Sequence, residues 1–315
     1  MQVYRDLGAA PGGSRYSVVI GNFDGLHIGH RAIFDAARGA PGELAVVTFD
    51  PHPRAVLQPD AAPRMLTSFA ERLAFFDALG VAAVFALPFE PIRHLAPVAF
   101  LDMLSGSFPL SAVTVGFNFN FGRGQEGNTD ILLWWSKGSG VEARIVPPVV
   151  HQGTRVSSSA VREFIMSGEM ARAAERLVFP YVVTGTVRRG RKVGGELGFP
   201  TLNLQPPDKL LPPDGVYATA AVLRGVRYPA VTNIGTNPTI DAEGALRTIE
   251  THIPDAALPD LYDEKMALYF LERIRREIRF SSRDKLRERI AEDTAAALDF
   301  LNGRDLTGLP DIKDI

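Results

Sequence analysis

The sequence predicts two folds in one chain: an α/β half with a parallel sheet, then a small barrel of short strands closed off by one helix. Three observations predict this. Apolar β-branched runs alternate with helical patterns over the first half, and the spacing of strand Ser17–Ile20, a helix and strand Leu44–Phe49 is that of a parallel, right-handed crossover. After Phe179-Pro180 the pattern changes to short strands separated by turns. The length, 315 residues, suits two domains. The boundary is placed near residue 178, giving domains 1–178 and 179–315.

The first strand delivers Gly21-Asn22-Phe23-Asp24-Gly25-Leu26-His27-Ile28-Gly29-His30, and a helical pattern from Arg31 to Arg38 follows. Strand, glycine-rich turn and helix together make a phosphate site. Glycines let backbone N–H groups approach a ligand, and a helix N-terminus favours an anion. Gly21, Phe23, Asp24, Gly25 and Gly29 are therefore candidate nucleotide-binding positions. His27 and His30, three apart, share one face and can hydrogen-bond the oxygens of a triphosphate. The plainer alternatives are a metal pair or two capping histidines; no third ligand at metal spacing stands nearby.

The next strand ends in Phe49-Asp50-Pro51-His52-Pro53, where two prolines stop the strand and fix a turn. Ligands of open α/β sheets bind outside the carboxyl ends of strands, which brings Phe49 and Asp50 to the site. Ala70–Leu79 reads as a helix, Val81–Leu87 as a buried strand and Ala96–Leu104 as a helix. Strand Ala112–Val115 leads into Gly116-Phe117-Asn118-Phe119-Asn120-Phe121-Gly122-Arg123-Gly124, apolar rings alternating with amides at a strand end. Flat apolar contact with a few amide partners suits an aromatic ring system, and Asn118 and Phe121 are the candidates; a plain core strand would alternate in the same way. Asn128–Ser136 reads as a helix whose Trp134 and Trp135 pack, and Val141–Val150 as a last strand. In Val156-Ser157-Ser158-Ser159-Ala160-Val161-Arg162 the serines precede a helix. They can cap it, or their N–H groups can hold a phosphate with Arg162 as the added cation.

In the second half, Tyr181–Val187, Val216–Leu223, Tyr228–Ile234, Arg247–Ile253 and Met266–Leu271 read as strands, with Arg224-Gly225 as a hairpin turn. The last helix covers roughly Ser282–Leu301, with Ser281-x-x-Asp284 as a capping box and Leu286, Ile290, Ala297 and Leu301 as its apolar stripe. From Gly185 to Lys192 and on to Gly195 runs a basic, glycine-rich loop suited to phosphates. Thr201 and Asn203, two apart on an extended segment, face one side, and a hydroxyl and an amide oxygen can ligate Mg²⁺. Ile249-Glu250-Thr251-His252 puts a carboxylate in a strand, at a site or facing solvent. Asn233-Ile234-Gly235-Thr236-Asn237-Pro238-Thr239 is a turn string.

Taken together, these strings resemble the bacterial bifunctional riboflavin kinase/FAD synthetase family, from about Tyr16 to about Leu301. The G-x-F-D-G-x-H-x-G-H pattern resembles the HxGH nucleotidyltransferases, the serine–arginine string their second signature, and LGFPTLN the family's kinase motif. The resemblance implies a Rossmann-like nucleotidyltransferase domain followed by a six-stranded Greek-key β-barrel with a terminal helix. It implies ATP-dependent phosphorylation of riboflavin to FMN, then adenylylation of FMN to FAD with release of pyrophosphate. ATP and Mg²⁺ would serve both steps, with flavins as substrates and products. Within that family Glu250 would be the kinase base, Thr201 and Asn203 the Mg²⁺ ligands, and Gly185, Lys192 and Asn233 nucleotide contacts. Phe49, Asp50, Asn118 and Phe121 would contact flavin, and His27, His30, Ser158, Ser159 and Arg162 would hold the reacting phosphates. Phe117 stands where the family commonly has an acid, Leu202 replaces an alanine, and Gly195 takes a basic position. The alternatives are an FMN adenylyltransferase with a weak or inactive kinase barrel, and a non-catalytic flavin-binding regulator.

Composition agrees with small-molecule chemistry. The formal net charge is −2, so no basic field points to nucleic acid. Cysteine is absent, which removes disulfides and cysteine metal sites and is compatible with the cytoplasm. No apolar run spans a bilayer, and the N-terminus lacks the apolar core of a signal peptide. Oligomeric state has no signature in the sequence.

Overall fold

The computed structural model describes residues 1–9, 13–58, 62–188, 198–205, 207–236, 247–254, 256, 261–278 and 280–312. By their packing these fall into two units, Met1–Pro63 with Phe75–Ser157, and Arg64–Ala74 with Ser158–Ile315. The second unit thus begins before the composition change near 178, for a physical reason. Val161, Ile165, Met170, Ala173 and Leu177, on the helices ahead of that change, share one apolar core with barrel residues such as Val183 and Ile249.

In the first unit, β1 (Gln2–Tyr4), β2 (Tyr16–Ile20), β3 (Glu43–Phe49), β4 (Ala83–Leu87), β5 (Leu110–Gly116) and β6 (Glu142–Val146) form a six-stranded sheet ordered β1-β4-β3-β2-β5-β6. All its pairings are parallel. Strands β2, β4 and most of β3 and β5 are buried, as expected where helices cover both faces. The edge strand β1 has no counterpart in the sequence reading: three residues are too few to show a period. The α-helices described up to residue 139 are α1 (Ile28–Arg38), α2 (Pro53–Leu57), α3 (Phe69–Ala78), whose residues 69–74 count with the second unit, α4 (Phe89–Ile92), α5 (Pro97–Ser107) and α6 (Thr129–Ser139). Helix α1 buries Ile33, Phe34 and Ala37, one face of an amphipathic helix. Phe100, Leu101 and Leu104 of α5 and Leu132 and Trp135 of α6 join the sheet core. Trp135 also donates from Nε1 to Asp102 Oδ1 at 2.8 Å, whereas Trp134 is 65% exposed and does not pack as the sequence suggested. The last predicted strand ends early, at Pro147-Pro148; a two-residue hairpin, β7 (Val150–His151) with β8 (Thr154–Arg155), follows.

In the second unit, α7 (Ser158–Ser167) and α8 (Met170–Ala174) precede β9 (Tyr181–Arg188), β10 (Thr201–Leu204), β11 (Gly215–Leu223), β12 (Val226–Thr236), β13 (Arg247–His252) and β14 (Lys265–Arg276). These strands close into a barrel in the order β10-β13-β12-β11-β14-β9. Strands β11, β12 and β13 run as a meander and β14 returns beside β11, the Greek-key order. Arg224 and Gly225, with φ of 48° and 80°, turn the β11–β12 hairpin as a two-residue loop. Inside the barrel, Thr219, Thr232 and Thr251 are fully buried and satisfy one another, with Oγ1–Oγ1 distances of 2.8 and 3.0 Å. The last helix, α9 (Arg283–Leu301), lays Ala297 and Leu301 on Val216, Ala218 and Val231. Its N-cap is Ser282, whose side chain accepts from Lys285 N, rather than Ser281: the cap is the residue whose backbone is still extended, with φ −151° and ψ 160°.

One buried ion pair fastens the segment Arg64–Ala74 to the barrel. Lys209 Nζ lies 2.5 Å from Glu71 Oε2, with the two side chains 1% and 0% exposed. Glu71 also accepts from Ser68 N, Thr184 N and Thr184 Oγ1, and Lys209 also donates to Val182 O and sits over the Tyr181 ring. Every oxygen of the carboxylate is thereby satisfied, the condition for burying a charge.

Candidate functional site

In the first unit, the chain leaves β2 for β3 and β4 on one side and later fills β5 and β6 on the other. The switch point therefore lies between β2 and β5, and the crevice outside their carboxyl ends is where such sheets bind ligands. The turn Gly21–His27 leaves β2 at that edge, Phe49 and Asp50 leave the adjacent β3, and Phe117–Phe121 leaves β5. Three of the sequence strings thus meet on three neighbouring strands.

The turn after β2 is built on left-handed backbone: Phe23, Gly25 and Leu26 have φ of 52°, 79° and 23°. Phe23 is 2% exposed and packs edge-on against His30, Phe34 and Phe76. Its side chain is therefore core, which leaves only its backbone to face a ligand. Asp24 is buried as well, at 6% exposure. His27 is the N-cap of α1: its Nδ1 accepts from His30 N at 3.1 Å, and His30 Nδ1 faces His27 N at 3.4 Å. The two rings stack at 3.6 Å with 14° between their planes. A Cβ on Gly29 would lie 3.0 Å from His27 Nδ1, a tight contact that would push on that ring.

Burial pushes His27 down from 6.5 to about 4; burial and then His27 push His30 well below its ordinary value. A helix N-terminus disfavours a cation in the same sense. Both imidazoles are neutral at pH 7, and because each Nδ1 accepts, each proton sits on Nε2. The capping alternative is the one seen: Nδ1 caps the helix, and Nε2–H is left as the ring's donor.

Around this turn, Asp50 is paired with Arg5 at 3.0 Å and follows Phe49, which packs edge-on against Phe89. Asn118 is exposed at the end of β5, whereas Phe121 is 6% exposed and stacks on Phe119. Phe117 is 37% exposed, and the Arg155 guanidinium lies 5.6 Å over its ring. Arg155 was passed over in the sequence; its signal was a basic residue just ahead of the serine string.

In the second unit, Ser158 and Ser159 open α7. Arg162, the fifth residue of α7 and so just past its first turn, donates from Nε to Arg64 O at 3.4 Å. On the barrel, Glu250 stands opposite Asn203 of β10 on one side and Asn233 of β12 on the other. Thr201 stands opposite His252, two residues along. Ile249, Thr251, Ile234 and Leu204 point into the core, so alternation puts Glu250, Asn203, Asn233 and Thr201 together on the outer face. Glu250, Asn203, Asn233 and Thr201 are all half-buried there. His252 holds Pro200 O through Nδ1 at 2.9 Å, steadying the start of β10. Gly185 has a different setting: a Cβ there would lie 2.7 Å from Gln205 O, so its missing side chain admits the barrel's own chain. The basic loop 189–197 with Lys192, and 237–239 of the turn string, lie outside the described residues. Among the described residues no group of three His, Cys, Asp or Glu side chains could hold a metal, and none of the helices is long and apolar enough to cross a membrane.

Comparison with known proteins agrees with both halves. A sequence model of FAD synthetases matches residues 12–160, and one of riboflavin kinases matches residues 177–301. A bifunctional riboflavin kinase/FMN adenylyltransferase of Pseudomonas fluorescens is 35% identical over 88% of this chain and 90% of its own length. The chain belongs to the bifunctional riboflavin kinase/FMN adenylyltransferase family. A family member from Escherichia coli (strain K12) is 34% identical over 90% of this chain and 92% of the relative. A crystal structure described as a macrolide-efflux protein from Streptococcus pneumoniae superposes with a TM-score of 0.83 at 28% identity, covering 94% of this chain and 97% of that one. The efflux in that description is said of that protein. The FAD synthetase match includes the glycine-rich turn after β2, and the riboflavin kinase match includes the barrel strands.

Proposed function

We propose that the two reactions of the family are divided between the two units of this chain, each with its own ATP site. The chain is a riboflavin kinase and an FMN adenylyltransferase. In the barrel, the γ-phosphoryl of ATP passes to the 5′-hydroxyl of riboflavin: the hydroxyl oxygen bonds to phosphorus, the bond to the ADP oxygen breaks, and Glu250 takes the hydroxyl proton. What supports this most is the register that sets Glu250 between Asn203 and Asn233 on one outward face. The Thr201 hydroxyl and Asn203 amide oxygen are hard, neutral donors beside a carboxylate, a set that fits Mg²⁺ sharing its remaining positions with substrate phosphates and water. When bound, that ion would offset the phosphate charge.

In the first unit, an oxygen of the FMN phosphate attacks the α-phosphorus of ATP and pyrophosphate leaves. The attacking oxygen is already anionic, so no protein nucleophile is required; positioning and charge stabilisation carry the step. His27 and His30 supply neutral Nε2–H donors to phosphate oxygens, and the turn Gly21–Gly25 with Gly29 shapes the cradle. Asp50 and Asn118 are the proposed polar flavin contacts, with Phe49 and Phe121 as apolar walls. A phosphate role for Ser158, Ser159 and Arg162, at the start of the second unit, is proposed on the family resemblance alone. A cytoplasmic location and the absence of nucleic-acid partners belong to the same proposal and rest on the lack of cysteine and the net charge of −2. Product analysis of His27 and Glu250 variants, started from riboflavin or from FMN, tests the division.

A further inference from the structure

The kinase reading needs Asn233 on β12 and Glu250 on β13 side by side. Three pairs further along, the last described pair of that ladder is Thr236 opposite Arg247. Both of these residues are tied to one carboxylate. Thr236 Oγ1 donates to Asp214 Oδ2 at 2.7 Å, and Arg247 donates to Oδ1 from Nε at 2.9 Å and from Nη2 at 2.6 Å. Asp214 is itself held. It immediately precedes β11, whose Gly215 pairs with Ile234, and its carbonyl accepts from Arg273 Nη2 of β14 at 2.5 Å. Glu277 secures the same strand end from the other side, taking the Thr236 N–H with its carboxylate. Its Oε1 lies where a Gly235 side chain would begin, 2.7 Å from that Cβ position.

We propose that Asp214 is a positioning residue of the kinase site: by bolting the ends of β12 and β13 to the start of β11, it keeps Glu250 beside Asn233. The inference rests on the assignment of Glu250 as the kinase base. An exposed ion pair contributes little by itself. Here one carboxylate receives two charge-assisted bonds from a guanidinium and one from a hydroxyl, with the side chains of Asp214 and Arg247 only 32% and 28% exposed. Loss of the bolt lets the strand ends move, and a displacement of about 1 Å at a reacting group costs up to about 10²-fold in rate.

The test is steady-state kinetics of the full-length chain, with both activities measured on each preparation. Asp214→Ala removes all three bonds and should lower riboflavin kinase kcat roughly 10–100-fold, with a much smaller change in KM. Asp214→Asn keeps an acceptor for Arg247 and can donate to the Thr236 oxygen, so it should restore most of the kinase turnover. Thr236→Val, a milder cut that leaves the Arg247 bonds, should show a smaller kcat loss of the same kind and serves if Asp214→Ala does not fold. FMN adenylyltransferase activity should match the parent in all of them. Equal kinase turnover in parent, Asp214→Ala and Thr236→Val overturns the proposal, as does an Asp214→Asn variant no better than Asp214→Ala. Glu250→Gln run beside them separates the two ideas. If that variant is silent, the base assignment fails and takes the positioning role with it; if it is impaired while Asp214→Ala is not, only the positioning role fails.

Discussion

In the proposed mechanism His27 and Glu250 carry the two halves of the chemistry, and each makes a different demand on its surroundings. His27 has to be a neutral donor, and burial at the start of α1 holds it near 4 instead of 6.5. That depression is also a stability statement. A shift of this size corresponds to about 3 kcal/mol, present in full above pH 6.5. It is lost as pH falls from 6.5 towards 4, where the unfolded chain takes up a proton before the native one does. Imidazole NMR titration of the native protein should give an inflection near 4 for His27; an ordinary value near 6.5 would mean that the ring is solvated and the capping geometry wrong. His27→Ala should cut FMN adenylylation by about 2–4 kcal/mol in transition-state terms, the range of a lost oxyanion donor, and leave riboflavin phosphorylation intact. Glu250→Gln keeps shape and volume but removes the proton acceptor. Kinase turnover should fall roughly 10²–10⁴-fold with little change in binding. The Glu250 register was legible in the sequence only through the E-x-H string. A glutamate in a strand reads equally well as a solvated one, and it takes Asn203 and Asn233 on either side to make it a candidate site.

At the scale of elements, the glycine-rich turn with α1 was the most legible part of the chain, because glycine spacing and paired histidines are local signals. Gly29 shows what the spacing is for. Gly29→Ala would bring a methyl group within 3.0 Å of His27 Nδ1 and displace the stacked ring. Adenylyltransferase rate should drop about tenfold or more while the kinase is spared; unchanged FAD formation from FMN would show that the stack is incidental. Glu71 was legible as a helical residue, but its partner was not: helical periodicity is a local signal, and the pairing of Glu71 with Lys209 spans 138 residues. Replacing Glu71 with Ala strands a buried ammonium and should cost about 3–5 kcal/mol of unfolding free energy. Replacing both residues together, Glu71→Leu with Lys209→Met, should recover most of that. Denaturant unfolding of the single and double variants decides it, and a single variant as stable as the parent would mean that the pair is not buried in solution.

Over the whole molecule, both folds were readable because their periods differ: helix–strand repeats with continuous apolar strands in the first half, short alternating strands in the second. Where the sequence put the change of pattern, near 178, the packing puts the change of core earlier, at Ser158, and adds Arg64–Ala74 to the barrel. A shift of hydrophobic period marks where strands begin, whereas a packing unit also includes the helices that cover them. The central claim is that two separate sites act in sequence, riboflavin to FMN in the barrel and FMN to FAD in the parallel-sheet unit. Chromatographic analysis of the products formed from riboflavin, ATP and Mg²⁺ by the parent, His27→Ala and Glu250→Gln tests it most directly. The parent should yield FMN and then FAD, His27→Ala should stop at FMN, and Glu250→Gln should leave riboflavin unconverted yet still turn supplied FMN into FAD. A folded His27→Ala protein that no longer makes FMN, or a Glu250→Gln protein that phosphorylates riboflavin within about threefold of the parent rate, well below the range of a lost acid–base group, would contradict it.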